Sequence, residues 1–222
     1  MRSLPLPLAL TARLLPVAVL ASAGWALASG PLAPASEPAA QDRPPRKSQA
    51  TSGPSESAAP VAYRSAPAPC GGVAGKTVAS LVPGAKAAGK EIPSTDESLR
   101  RTCSWNALKG YDYRWLDVSY EIKDAESTAD TAFGERTESG EAGEAESGLG
   151  DEAYSTVGLT TEDEQETREA VVTVRVSNAL VVVTYNGSDF ETKKAPAAAG
   201  MREGALKAAK EAVAALDEAD ED

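Results

Sequence analysis

The chain has few residues whose types and spacing could support catalysis. It contains no histidine and only two cysteines. Histidine is the commonest general base, the commonest metal ligand and the usual partner of a serine or cysteine nucleophile, so these mechanisms lack their central group. The chain also has no Gly-x-Ser-x-Gly nucleophile motif. The sequence therefore predicts a protein that is not an enzyme and that has no catalytic residue, no metal ligand and no cofactor.

Two groups of carboxylates are the remaining candidates for chemistry. The first, in a run rich in glycine, serine and alanine, comprises Glu135, Glu138, Glu141, Glu144 and Glu146. Calcium takes about six to eight oxygen ligands, but this run lacks the EF-hand spacing, so we interpret residues 134–148 as a flexible acidic insertion. The second group comprises Glu162, Asp163, Glu164, Glu166 and Glu169. Paired carboxylates can hydrolyse glycosidic bonds, but nothing places these in an apolar pocket, so a carboxylate-dependent cell-wall hydrolase is only an alternative.

Aromatic side chains are concentrated near one predicted strand. They are Trp105, Tyr111, Tyr113, Trp115 and Tyr120. Packing in the core, over the disulfide, is one interpretation of this set. The other is a ligand-binding groove, because aromatic rings beside a sheet form apolar pockets with polar groups at their edges. The sequence leaves both open, and these five residues are its candidate ligand-binding set.

The N-terminal residues 1–28 are typical of an export signal. Arg2 and Arg13 supply positive charge, and an apolar run follows that closes with the small residues of Ala26-Leu27-Ala28. This pattern predicts signal-peptidase cleavage before Ser29. A membrane span needs about 20 apolar residues, which favours removal over anchoring. We expect a secreted or cell-envelope protein that contacts the membrane only if this segment stays uncleaved.

The rest of the chain divides into a linker and one domain. Residues 29–69 hold more than half of the 15 prolines among alanine and serine, which predicts a disordered tether. Residues 70–222 have the length of one ordinary domain. An isolated cysteine pair in an exported chain predicts one disulfide, between Cys70 and Cys103.

Hydrophobic periodicity predicts an α+β domain. The predicted elements are a helix over Val73–Leu81, strands over Tyr111–Ile122 and Ala153–Leu159, a hairpin of Ala170–Val176 with Leu180–Tyr185, a turn at Asn186-Gly187, and a C-terminal helix after Pro196. The apolar stripe of that helix comprises Met201, Ala205, Ala209, Val213 and Leu216. This order predicts an antiparallel sheet of about four to six strands, packed on one face by helices, with a C-terminal helix and one disulfide.

The strand over Tyr111–Ile122 has two distinct sides. Its predicted buried side comprises Arg114, Leu116, Val118, Tyr120 and Ile122. Its other side comprises Tyr113, Trp115, Asp117, Ser119 and Glu121. Because successive side chains of a strand point to opposite faces, we expect only the first set to face the core.

Several sequence elements, in their order, resemble a secreted actinobacterial family, the domain of unknown function numbered 3558. The matching elements are Pro69-Cys70, Cys103-Ser104-Trp105, Gly148-Leu149-Gly150-Asp151-Glu152-Ala153, Val174-Arg175-Val176, Val181-Val182-Val183 and an alanine-rich closing helix. The layout is also similar, more weakly, to extracellular sensor domains of receptor kinases. The family resemblance implies an exported, often lipid-anchored α+β domain of undefined activity. Neither cysteine lies beside the export signal, so the lipid anchor is not expected here.

The net charge limits the kinds of partner that the protein can bind. At −11 the chain should be repelled by nucleic acid. We therefore expect a binding or interaction domain for an unknown extracellular protein or small ligand. A small-molecule or lipid carrier and a purely structural envelope protein are alternatives that the sequence does not separate.

Overall fold

The structure, a computed structural model, describes residues 62–139 and 143–220. Within these ranges a 3-10 turn at Pro69–Gly71 is followed by three α-helices and seven β-strands. The helices are α1 (Gly75–Leu81), α2 (Glu126–Ser139) and α3 (Ala198–Asp220). The strands are β1 (Lys90–Ile92), β2 (Arg100–Lys109), β3 (Asp112–Ile122), β4 (Gly143–Glu146), β5 (Glu152–Glu162), β6 (Gln165–Val176) and β7 (Ala179–Asp189).

In this part of the chain the seven strands form one sheet in the order β1-β2-β3-β7-β6-β5-β4. Every neighbouring pair is antiparallel. The pairing of β3 with β7 joins the two halves of the sheet across a long sequence separation. The predicted α+β class is confirmed, although the sheet has more strands than predicted.

Helix α3 lies along one face of the sheet and closes the core. Its predicted apolar stripe is confirmed: Met201, Ala205, Ala209, Val213 and Leu216 are all buried. Gly204 allows a close approach, because a Cβ atom there would lie 2.8 Å from the Tyr185 ring and 3.0 Å from Leu81. The small residues of this helix therefore serve its packing on the sheet.

The disulfide and α1 cover the same face. The predicted bond between Cys70 and Cys103 is formed, and Cys103 is fully buried. The Thr77 hydroxyl donates to Glu211 of α3 at 2.6 Å, and the Tyr185 hydroxyl donates to the carbonyl oxygen of Leu81 at 2.7 Å. These bonds hold α1 between the sheet and α3.

The predicted hairpin is confirmed as β6 and β7. Its connection begins at Ser177, which adopts a left-handed φ of 49°. The predicted turn at Asn186-Gly187 is wrong, because β7 continues through both residues to Asp189. A Cβ atom at Gly187 would lie 2.8 Å from the guanidinium of Arg114, so this glycine allows a close approach to a neighbouring strand instead of a reversal.

The fold extends further toward the N-terminus than the sequence predicted. Tyr63 is buried and exchanges two hydrogen bonds with Asn178, from its amide to Oδ1 at 2.9 Å and from Nδ2 to its carbonyl oxygen at 2.8 Å. Its hydroxyl donates to Asp217 at 2.8 Å. Residues 62–69 of the predicted linker thus belong to the domain. The predicted signal and the remainder of the linker lie outside the described residues.

The predicted flexible insertion over 134–148 also needs correction. Its first residues complete α2 and its later ones include strand β4, while residues 140–142 are outside the described ranges. Helix α2 is attached to the sheet mainly through charged groups, and for this reason its sequence has no apolar periodicity. Among its residues with described side chains only Ala129 is buried. Helix α2 lies on the face opposite α3, so the helices do not all cover one face as predicted.

Candidate functional site

The sheet has a covered face and an open face. The covered face carries Leu116, Val118 and Tyr120 of β3, all buried under α1 and α3. The open face carries Tyr113, Trp115, Asp117, Ser119 and Glu121 of β3 together with the strand residues that pair with them. The predicted buried side of β3 is confirmed for Leu116, Val118, Tyr120 and Ile122, whereas Arg114 is half-buried and Ser119 and Glu121 of the other side are also buried. On the open face α2 overlies only one end of the sheet.

The candidate aromatic residues divide between the two faces. Trp105 and Tyr120 lie on the covered face, each with about 1% of its surface exposed. The Trp105 indole donates to the carbonyl oxygen of Ala87 at 3.0 Å, and the Tyr120 hydroxyl donates to that of Ala212 at 2.9 Å. Burial raises the pKa of the Tyr120 phenol well above its ordinary value. Of the two interpretations of the aromatic set, packing in the core applies to Trp105 and Tyr120.

The other three aromatic candidates lie outside the core. Tyr113 and Trp115 are half-buried on the open face, and Tyr111 is exposed in the β2–β3 turn. The Trp115 indole donates to the Ser104 hydroxyl at 2.8 Å, and the Tyr113 ring lies 6.0 Å from that of Phe190. The five candidates therefore do not line one common groove.

A buried carboxylate organises the end of the open face beneath α2. The side chain of Glu121 is only 7% exposed, and it accepts two bonds from Nη2 of Arg136, at 2.8 and 2.9 Å. Nζ of Lys123 donates to it at 3.2 Å, and Nε of Arg100 lies 3.7 Å away. Three cations thus surround one anion in a protein whose net charge is −11.

The cations decide the protonation state of this carboxylate. Burial by itself would raise the pKa of Glu121, but the hydrogen bonds and charges of Arg136 and Lys123 outweigh it and hold the pKa below the ordinary value of 4.5. Glu121 is therefore ionised at neutral pH. This excludes Glu121 as a carboxylic acid that donates a proton near neutral pH.

A cavity of about 340 Å³ opens beside this network. Arg100, Glu121 and Arg136 supply its charged wall, and Val171 with Val182 supplies its apolar floor. The remaining lining is rich in hydroxyl groups, from Thr137, Tyr154, Thr156 and Thr173. Because β2, β3, β7, β6, β5 and α2 all contribute, only the tertiary fold brings these groups together.

Several polar groups of the cavity have unused hydrogen-bonding capacity. The side chain of Arg100 is 62% exposed, and within the described residues its Nη1 and Nη2 atoms have no partner. In the same ranges the hydroxyls of Thr156 and Thr173 make no hydrogen bond, while that of Tyr154 accepts from the amide of Gly143 at 2.9 Å and keeps its own proton available. The arrangement can therefore donate to a bound ligand from several directions.

A second ion network explains the Gly-Leu-Gly-Asp-Glu-Ala element. Arg175 lies 3.1 Å from Glu152, 3.3 Å from Asp151 and 3.5 Å from Glu126 of α2. Asp151 also accepts a bond of 2.6 Å from the amide of Ser177. The network therefore ties α2 and the loop before β5 to the end of β6, which is a structural role.

The first acidic group is dispersed by the fold. Glu144 and Glu146 lie on β4 and bind Arg202 of α3 at 2.6 and 2.7 Å. Glu135 and Glu138 lie on α2, and Glu141 is outside the described residues. Across residues 62–139 and 143–220 no group of three or more metal-ligating side chains converges. The geometry therefore offers the calcium hypothesis no site in these ranges.

The second acidic group lies at the β5–β6 hairpin. Asp163 and Glu164 are its turn residues, with left-handed φ values of 49° and 67°. Glu164 pairs with Lys193 and Glu166 with Lys194, each at 2.8 Å. These carboxylates serve a solvent-facing turn and do not face one another across a cleft.

No known protein family, curated protein or solved structure matches this chain. Nor does any helix within the described residues have the length and apolar character to cross a membrane. The geometry of the open face is therefore the basis for a functional proposal.

Sequence reasoning missed the charged residues of the cavity. It placed Glu121 on the outer side of β3 but identified neither Arg100 nor Arg136 as its partner. Only the identification of β2 as a strand would have revealed Arg100, because in the β2–β3 hairpin Arg100 pairs with Glu121 and must share its face. Arg136 carried no comparable signal, because it belongs to a helix whose sequence lacks an apolar face.

Proposed function

We propose that this protein is an exported, non-enzymatic binding domain that holds its ligand on the open face of the sheet. The N-terminal signal pattern and the Cys70–Cys103 disulfide support export. The resemblance to the secreted actinobacterial family numbered 3558 points the same way. The domain would work in the cell envelope or outside the cell, and its membrane contact would depend on whether residues 1–28 are removed.

The observation that carries the proposal is the difference in polar pairing between the faces. On the covered face the polar groups of Tyr120, Trp105 and Tyr185 donate to backbone carbonyl oxygens. On the open face a solvent-accessible cavity presents unpaired donors over an apolar floor. Ligand sites are typically concave and mostly apolar, with a few placed polar groups. The cavity of the open face shares the concave shape, the apolar floor and the placed polar groups of such sites.

The state of the carboxylates favours binding over hydrolysis. A glycoside hydrolase needs a carboxylic acid with a raised pKa and a second carboxylate at a set distance. The cavity contains one carboxylate, Glu121, and its pKa is lowered. Glu146 of β4 is half-buried outside this cavity, where it pairs with Arg202, and the hydrogen bonds of Ser155 and Arg202 lower its pKa against the effect of burial.

Native mass spectrometry of the full chain recovered from the envelope and medium of an actinobacterial host tests the proposal. We expect a mass that begins at Ser29, lacks two hydrogens and carries a bound small molecule. Val182→Phe should abolish this adduct, because Val182 forms the cavity floor. Thr184→Phe is the matched control, since Thr184 lies two residues along β7 on the same face but outside the cavity lining.

Comparison of these two variants distinguishes a ligand-binding role of the cavity from a structural role. Loss of the adduct in Val182→Phe alone supports a ligand site in the cavity. Equal retention in both variants, or a bare mass in every preparation, contradicts the small-ligand proposal and favours a structural role. Sugar released from purified cell wall by the wild type, and lost in Glu121→Gln, would overturn the non-enzymatic assignment.

A further inference from the structure

We propose that the cavity beneath α2 binds a small organic oxyanion, a carboxylate or a phosphate, through Arg100 and Arg136. This inference rests on the proposed function and deepens it by naming the chemical class of the ligand. The charges, the unused donors and the apolar floor of the cavity each support it.

The local charge of the cavity favours an anion. Arg100 and Arg136 face the cavity with one carboxylate between them, and Lys123 binds the same carboxylate from the adjacent side. The excess positive charge lies in a chain of net charge −11, so it is not part of a generally basic surface. Asp117 and Asp124 line neighbouring depressions that Arg100 also borders, but not this cavity. An anion in the cavity would meet net positive charge.

The hydrogen-bond donors of the cavity are placed to bind an oxyanion. Glu121 occupies Nη2 of Arg136, whereas the two Nη atoms of Arg100 have no partner in the described part of the chain. A guanidinium with both terminal nitrogens available can bind a carboxylate or phosphate with two parallel hydrogen bonds. The hydroxyls of Thr156 and Thr173 can donate to a remaining oxygen of the ligand.

The size and the apolar floor of the cavity favour an organic ligand. A volume of about 340 Å³ is at the lower end of small-molecule sites. Val171 and Val182 are half-buried and form an apolar surface beside the charged wall. Inorganic phosphate alone would leave that surface uncovered. The occupant that fits has an anionic head at Arg100 and a short apolar portion over the valines.

Titration of the full chain with three matched probes tests this inference. Heptanoate, hexyl phosphate and hexanol share one hexyl chain and differ in the head group, and binding can be followed by isothermal titration and by amide chemical shifts. We expect both anions to bind, with shifts at Val171, Thr173 and Val182, and hexanol not to bind. Stronger binding of one anion identifies which oxyanion the site prefers. Binding should weaken as salt rises, because part of the attraction is between solvent-accessible charges.

Arg100→Gln supplies the mutational test, with Arg101→Gln as its matched control. Arg101 is the next residue of β2, faces the other side and pairs with Glu91 at 2.6 Å. Arg100→Gln should reduce anion affinity by about tenfold or more, the effect of losing a charge-assisted bidentate contact. Arg101→Gln should leave the affinity within about twofold of wild type, because its side chain lies on the opposite face.

The outcomes distinguish this inference from the broader proposal. Equal binding of hexanol, or equal losses in the two arginine variants, would overturn the oxyanion assignment. If neither anion binds but the native adduct persists and is lost in Val182→Phe, the cavity binds a ligand of another class and the proposed function stands. If Val182→Phe and Thr184→Phe behave alike, the proposed function fails whatever the probes do.

Discussion

The two faces of the same sheet are built from alternate residues of the same strands, yet they differ in the burial of apolar side chains and in the pairing of polar groups. On β7, Val181 and Val183 are fully buried beneath α3, while Val182 between them is half-buried at the floor of an open cavity. The covered face carries the apolar core, the disulfide and hydroxyls bonded to backbone. The open face carries threonines, a buried ion network and guanidinium groups with unused donors.

In this sheet, folding stability and ligand binding depend on side chains of different faces. A side chain buried on the covered face contributes free energy in proportion to the apolar area it removes from water. A side chain on the open face that keeps a hydroxyl or a guanidinium without a protein partner adds little to folding. Such groups are what a ligand can use, because their hydrogen bonds are not already made.

The largest expected effect comes from the covalent link on the covered face. Cys70→Ser or Cys103→Ser opens a loop between residues 33 positions apart and should lower the free energy of unfolding by about 3 to 4 kcal/mol. The two variants and the double variant should show the same loss, because each removes the same bond. Urea unfolding of the oxidised wild type and the variants measures this. A variant as stable as wild type would contradict the presence of the disulfide.

Adjacent valines of β7 give the next largest contrast. Val181→Ala removes two methyl groups from a fully buried site and should cost about 2 kcal/mol, the transfer term plus a cavity term. Val182→Ala should cost less than about 1 kcal/mol, because Val182 remains partly in contact with solvent. Urea unfolding of the two variants tests this assignment of faces, provided that the dependence of the free energy of unfolding on urea concentration is the same in both. Equal losses would contradict it.

The sequence predicted the covered face better than the open one, for a physical reason. Strand β3 and helix α3 bury apolar side chains on one side, and that burial imposes a period of two or of 3.6 residues on the sequence. Strand β2 was not predicted as a strand, because Arg100 to Lys109 includes charged residues on both of its sides. Helix α2 was missed because ion pairs to Glu121 and Arg175, instead of an apolar stripe, attach it to the sheet.

The candidate site was predictable only in part. Alternation placed Glu121, Tyr113 and Trp115 on the outer side of β3, as the structure has them. The cavity needed the long-range pairing of β3 with β7 and the docking of α2, which no local pattern encodes. The aromatic residues were close in sequence, but their positions alternate, so Trp105 and Tyr120 entered the core while Tyr113 and Trp115 did not.

A smaller and pH-dependent effect is expected from the ion network of the open face. Glu121→Gln should cost about 1.5 kcal/mol near neutral pH, the lower end of the range for hydrogen bonds to a charged group. The lowered pKa of Glu121 adds stability above its ordinary value of 4.5, and that stability is lost as the pH falls through the folded-state pKa. The wild-type and Glu121→Gln unfolding curves should therefore converge in acid.

Urea unfolding at neutral pH and at about pH 3 checks this linkage. Glu169→Gln is the control, because Glu169 is exposed on the same face; it should change the stability at neutral pH by less than about 0.5 kcal/mol. A difference between wild type and Glu121→Gln that is constant with pH would mean that the carboxylate acts through its shape and not its charge.

The smallest expected change in stability is the sharpest test of the comparison between the faces. Arg100→Gln should alter the free energy of unfolding by no more than about 0.5 kcal/mol, because its side chain is 62% exposed and its only described ion pair spans 3.7 Å. Arg101→Gln, which breaks a pair with two hydrogen bonds of 2.6 and 2.9 Å to Glu91, should cost at least as much. Anion affinity should show the reverse order. A residue that contributes little to folding and much to binding belongs to a ligand site, and a large stability loss in Arg100→Gln would instead assign Arg100 to the fold.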